Sequence, residues 1–144
     1  MTINFDDTQL YKTLANKTVD EGLDLVADTG INSTDRDERI LLSTSLIEDK
    51  NSLFQKLISI GADVNTQDTQ GLTALHLAAL HNRFDYVQAL IDADADIESR
   101  DAQGNTPLWH AVMSNSAEVI EILKNSGASL KATNNHGVCV ADII

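Results

Sequence analysis

Two groups of residues carry types and spacings that could do chemistry. Cys139 is the single cysteine and stands shortly after His136, at the start of a predicted helix. A helix N-terminus lowers a thiol pKa, and a nearby imidazole can take the proton, so this pair has the elements of a nucleophile and its base. Nothing in the pattern supplies a third, orienting group, and the simpler reading is an unreactive thiol tucked against a turn. The second group is the acidic run Asp92, Asp94, Asp96, Glu98 and Asp101. Its alternate spacing is that of a calcium loop, but the glycine and terminal glutamate of that motif are missing. His76 and His81 are off the i, i+4 spacing that puts two ligands on one helical face. His110 and His136 fall on other segments. No phosphate-cradling Gly-x-x-x-x-Gly-Lys loop, Gly-x-Ser-x-Gly elbow or His-Glu-x-x-His helix occurs. The expectation is a non-enzymatic protein with no cofactor and no metal; a hydrolase or redox protein using Cys139 is the alternative from the enzyme class.

The elements that hold these residues are suggested first by composition. Hydrophobic residues make up 42% of the 144 but aromatics only 4%. A core built from Leu, Ile, Val and Ala suits thin, closely packed helix layers. One proline and long helix-compatible stretches argue against an all-β fold. The formal charge of −12 disfavours nucleic acid and anionic membranes, both of which call for clustered Lys and Arg. It suits a basic protein partner, though an acidic surface also serves solubility. Met1 to Asp7 have no basic or apolar signal region, and no run nears the roughly 18 apolar residues of a membrane span. A cytoplasmic location is expected, and a lone cysteine forms no intrachain disulfide.

The chain repeats itself at a constant interval. Asp68, Gly71, Thr73, Leu75, Ala78 and Ala79 return as Asp101, Gly104, Thr106, Leu108, Ala111 and Val112, every one displaced by the same step. A period of this length means one supersecondary unit stacked into a solenoid. Thr73 and Thr106 are placed to cap the helix that follows, Pro107 suits its first turn, and Gly71 and Gly104 suit the turn before it. Leu75 and Leu108 should be buried between layers, and the small Ala78, Ala79 and Ala111 let helices approach. Second helices follow around Val87, Leu90 and Ile91 and around Val119, Ile122 and Leu123, apolar at three- and four-residue spacing. Gly127 ends the latter helix; Asp94 stands in its place in the former, which should strain that end.

These residues resemble the ankyrin repeat, whose first helix opens on Thr-Pro-Leu-His-x-Ala. Thr73 to Ala79 and Thr106 to Ala111 carry the resemblance, as does Gly61-Ala62-Asp63-Val64-Asn65 at the end of an earlier unit. That unit begins atypically, with Glu38 for glycine and Ile40 to Ser43 for Thr-Pro-Leu-His. The resemblance implies an all-α solenoid of stacked helix-turn-helix units with short β-turn or hairpin connections. Its divisions are an N-terminal cap over 1–34, repeats over 35–67, 68–100 and 101–133, and a short C-terminal cap over 134–144. His76 then bonds to turn backbone of the neighbouring unit, and Trp109 packs in the same slot one unit later. In this frame Asp96 and Asp101 are structural, which leaves Asp92, Asp94 and Glu98 as unusual charges for solvation or docking.

Ankyrin-family proteins bind through hairpin tips and the concave face of their first helices. Carried over by position, the partner-binding residues are Arg36, Asp37, Arg39, Gln70, Leu72, Arg100, Gln103 and Asn105 on or between tips, and Ile47, Glu48, Leu80, His81, Met113 and Ser114 on first helices. Ile47, Leu72, Leu80 and Met113 are apolar where solvent is expected, which suggests the centre of an interface. The function expected is stoichiometric binding or inhibition of a basic protein, such as a toxin held by an immunity protein. A scaffold, adaptor or chaperone subunit is the alternative. The chain is expected to be a monomer, or a weak homodimer through the short C-terminal cap, with Val138, Val140, Ile143 and Ile144 exposed for pairing.

Overall fold

A computed structural model of the protein describes residues 39–144 together with Thr18, Asp20, Gly30, Ile31, Asn32 and Thr34. Most of the expected N-terminal cap lies outside the described residues, as do Arg36, Asp37 and Glu38. Thr73 and Thr106 sit in extended backbone, and their hydroxyls accept the N–H groups of His76 and Trp109 at 3.4 and 3.3 Å. Each thereby starts a helix by satisfying one of its free N-terminal donors.

Six helices follow among the described residues: α1 Leu41–Ile47, α2 Asn51–Ser59, α3 Ala74–Leu80, α4 Phe84–Asp92, α5 Pro107–Met113 and α6 Ala117–Asn125. A 3₁₀ turn, Val140–Asp142, comes last. First helices begin at Leu41, Ala74 and Pro107 and second helices at Asn51, Phe84 and Ala117, so the sequence period is the structural one. Within each pair the chain reverses through Asp49, Asn82 or Asn115, all at positive φ (56°, 53° and 54°), the region Asn and Asp tolerate best after glycine. Second helices end on Gly61, Asp94 and Gly127, and Asp94 is left-handed at φ 62°, the strain expected for a substituted glycine. Extended structure among the described residues is confined to isolated bridges, Thr34 with Ile40 and Thr133 with Cys139.

The three first helices stack side by side, and each also lies against its own second helix. Six of the seven residues of α3 are buried, because it has a neighbour on each side. Leu75, Leu108, Ala78, Ala79 and Ala111 are fully buried, as expected of contacts between layers. Phe54 of α2 meets Tyr86 of α4 edge to face at 4.6 Å, and the Tyr86 hydroxyl donates to Asp49 at 3.0 Å. Burial, then the Asp49 carboxylate, raises the Tyr86 pKa. The architecture is the expected all-α solenoid. One expectation fails at its C-terminal end: Val140 is 1% exposed and belongs to the core, and Val138 is half-buried. The 3₁₀ turn packs against α5 and turns Val140 inward, leaving Ile143 and Ile144 exposed.

Candidate interaction surface

The hairpin tips are built around one side-chain oxygen each. Asp68 Oδ1 accepts the N–H groups of Gln70 and Leu72, both at 2.9 Å. Asp101 Oδ1 does the same for Gln103 and Asn105, and Asn134 Oδ1 for His136 and Val138. Successive tips are joined by main chain: Ala102 N–H donates to the Gln70 carbonyl and Asn135 N–H to that of Gln103, both at 2.9 Å. Gly71 permits this approach. It lies at φ 75°, and a Cβ there would stand 2.8 Å from the Ala102 nitrogen.

This construction occupies several residues expected to meet a partner. Gln67 Nε2 donates to the carbonyls of Gly71 and Arg100, both at 2.8 Å. Arg100 repeats the pattern one unit on, with Nη1 donating to the Gly104 and Thr133 carbonyls. Arg39 Nε lies 3.5 Å from Asp68 Oδ2. The Asn105 carbonyl accepts from His76 Nε2 at 3.1 Å, and its Oδ1 accepts from Asn134 Nδ2 at 3.0 Å. Leu72, expected to face solvent, is half-buried against the core. Among the described tip residues expected to bind, Gln70 and Gln103 are the ones with exposed side chains that also hold no such bridge.

A second group lies at the other end of the first helices, about 10 Å away, the length of a helix of this size. Leu80 and Met113 end α3 and α5 and are 39% and 61% exposed. His81 beside them is exposed, and Glu48 is half-buried. Ile47, their counterpart on α1, is instead half-buried against the core, which corrects the expectation that it faces solvent. The Ser114 hydroxyl is within bonding distance of the His110 and Ala79 carbonyls (2.9 and 3.1 Å) and ties α5 to α3. Around this end Glu48 and Asp49 are balanced by Lys50 and Arg83, and Arg83 pairs with Asp49 at 3.3 Å.

Several of the groups considered for chemistry make structural contacts. His76 is fully buried, with Nδ1 accepting the Thr73 N–H at 3.1 Å and Nε2 donating to Asn105 of the next unit. Only the neutral ring with its hydrogen on Nε2 can do both. Burial above all lowers its pKa to about 4, helped by the neighbouring His110. His110 itself donates to Asp101 Oδ2 at 2.8 Å, and its ring lies 5.6 Å from that of His76. Burial works against ionisation of Asp101, but hydrogen bonds from His110, Asn105 and Gln103 outweigh it and hold the carboxyl below its ordinary range. Position in the repeat pointed to His76 but not to His110, whose place in the previous unit is held by Leu77.

Cys139 is half-buried, and its Sγ donates to Asp142 at 3.1 Å, not to His136. The acidic run is divided in the same way. Glu98 Oε1 accepts the Ser129 N–H at 2.6 Å, as Asn65 accepts that of Asp96 and Asn32 that of Asp63. Glu98 is therefore a staple to the next unit, not a free docking charge. Among the described residues no three His, Cys, Asp or Glu come together as a metal site. No described helix is long and apolar enough to cross a membrane.

No curated protein matches the chain. The family profile for ankyrin repeats does, with three copies over residues 41–134. With paired helices and bonded hairpin tips recurring in step with the sequence, the chain belongs to the ankyrin-repeat family, whose stacked units are protein–protein interaction modules.

Proposed function

We propose that this chain is a non-enzymatic, stoichiometric binder that inhibits a basic protein, in the manner of an immunity protein holding a toxin. The observation that carries the reading is the pair Leu80 and Met113, exposed at equivalent places on adjacent first helices. Apolar side chains ringed by polar ones (His81, Ser114, Asn82) make the centre of a small interface. The net charge of −12 supports a basic partner. Because the strip itself is nearly balanced in charge, that field acts mainly on encounter, raising the association rate in a salt-sensitive way. The His76, His110 and Asp101 cluster supports the non-enzymatic reading: His76 joins its unit to the next through the Asn105 carbonyl, and His110 and Asp101 are bonded to each other within that next unit.

The test is tagged protein against host extract, beside the double variant Leu80→Asp/Met113→Asp. Both sites are exposed, so the variant should melt within about 2 °C of wild type, as ordinary surface changes do. One basic protein captured at equal stoichiometry, silenced on mixing and released by the variant, supports the inhibitor. Several acidic or neutral proteins in one assembly would overturn it in favour of a scaffold.

A further inference from the structure

A second surface lies on the outer helices and the loops that follow them. Between α2 and α4 runs an open groove of about 490 Å³. That is within the roughly 300–1,000 Å³ of small-ligand clefts. Its floor is apolar, from Ile58, Ala62, Ala89 and Ala93, and its rim carries the exposed carboxylates of Asp92 and Asp94. The cause is local in sequence. One unit later, Ile122 replaces Ala89, Asn125 replaces Asp92 and Gly127 replaces Asp94. Small residues open the space, and neither acid recurs in the units on either side, where Ser59 and Asn125 stand for Asp92 and Gly61 and Gly127 for Asp94. Asp92 receives one amide hydrogen bond, from Gln88 at 2.9 Å, and the Asp94 carboxylate has no partner among the described residues. Among the described residues no cationic side chain lines the groove.

We infer that this groove takes an arginine side chain of a partner polypeptide, its methylene stem on the alanine floor and its guanidinium between Asp92 and Asp94. Charge complementarity selects a cation, and the apolar floor selects one on an aliphatic stem. Arginine fits better than lysine because its planar fork of five donors reaches two separate acceptors and is less strongly hydrated. The surface is distinct from the Leu80 and Met113 strip, and neither reading depends on the other.

The test is an NMR titration of ¹⁵N-labelled protein with a capped Ala-Arg-Ala peptide, beside Ala-Lys-Ala and Ala-Gln-Ala. The expected result is saturable shifts in the amide signals of Ala62, Ala89, Asp92 and Asp94, weakened by salt and largest for arginine. Two variants separate charge from shape, each borrowing residues the next unit already uses. Asp92→Asn/Asp94→Gly removes the charges, and Ala89→Ile fills the groove at constant charge; both should abolish the shifts. Shifts that never saturate, that scatter over other acidic residues, or that survive in the charge variant overturn the proposal. An equal response to the lysine or glutamine peptide overturns it as well. Capture of a partner through Leu80 and Met113 should be unaffected by either variant, so failure here is distinguishable from failure there.

Discussion

Mild acid should loosen the stack through His76. Its imidazole is buried with Nδ1 facing the Thr73 N–H, so a second ring proton would oppose a donor to a donor. The folded pKa is about 4, against 6.5 for an exposed imidazole. A depressed folded value means that the unfolded chain takes the proton first as pH falls. Stability from this group is therefore complete above the unfolded value, declines through the window from 6.5 to about 4, and is flat below it. The full difference corresponds to about 3 kcal/mol, of which about 2 kcal/mol should be lost between pH 7 and pH 5. The assay is urea unfolding followed by far-UV circular dichroism across that range, with His76→Gln as the reference. Glutamine keeps one donor and one acceptor and does not titrate, so the variant should be less stable at pH 7 but lose less on acidification. Equal pH slopes for the two proteins would refute the reasoning. NMR titration of the His76 ring gives a second check, and a midpoint near the exposed value would refute it independently. Asp101, held below its ordinary range, contributes in a separate window, lost only as pH falls through its folded value.

Leu108→Ala removes a fully buried side chain between layers and should cost about 2–5 kcal/mol in urea unfolding. Gly71→Ala and Gly127→Ala should differ, although both sites have positive φ. At Gly127 a Cβ meets nothing within 4 Å, so only the backbone penalty of about 1–2 kcal/mol applies. At Gly71 the Cβ also meets the Ala102 backbone at 2.8 Å, and the larger loss should appear as a lower unfolding midpoint. Cys139, half-buried and bonded to Asp142, should alkylate more slowly than a free cysteine in the folded protein and at the normal rate in urea. Faster alkylation would reopen the case for thiol chemistry.

The helices were legible because their signals are local and periodic. Thr73 and Thr106 announce a helix start, Leu75 and Leu108 recur at the buried position, and the strain at Asp94 follows from Gly61 and Gly127, which hold its place in the units on either side. The surface was less legible because a residue exposed in outline can still be committed in detail. Arg100 reads as a free cation, yet its guanidinium bridges the carbonyls of Gly104 and Thr133, at the near and far ends of the following unit. A sign of this was present: Gln67, a long side-chain donor, stands at the same place one unit earlier. The equivalence of Asn32, Asn65 and Glu98, all acceptors, was the matching sign for the other staple. Ile47 and Leu72 were misplaced for a different reason. Whether an apolar side chain at a helix end or tip lies flat on the core depends on its neighbours' volumes, which spacing alone does not encode.

Those staples share one property with a wider consequence. In each, a side chain of one unit reaches a main-chain group of the next: Gln67 to the Arg100 carbonyl, Asn65 to the Asp96 N–H, Glu98 to the Ser129 N–H. A main-chain acceptor or donor is the same whatever residue bears it. The receiving unit can therefore drift in sequence at those positions without losing the bond, provided its backbone keeps its shape. A duplicated or exchanged segment one repeat long would arrive with both halves of the connection already made. The joint is a standard coupling, and it leaves the outward-facing residues free to be rewritten for a new target.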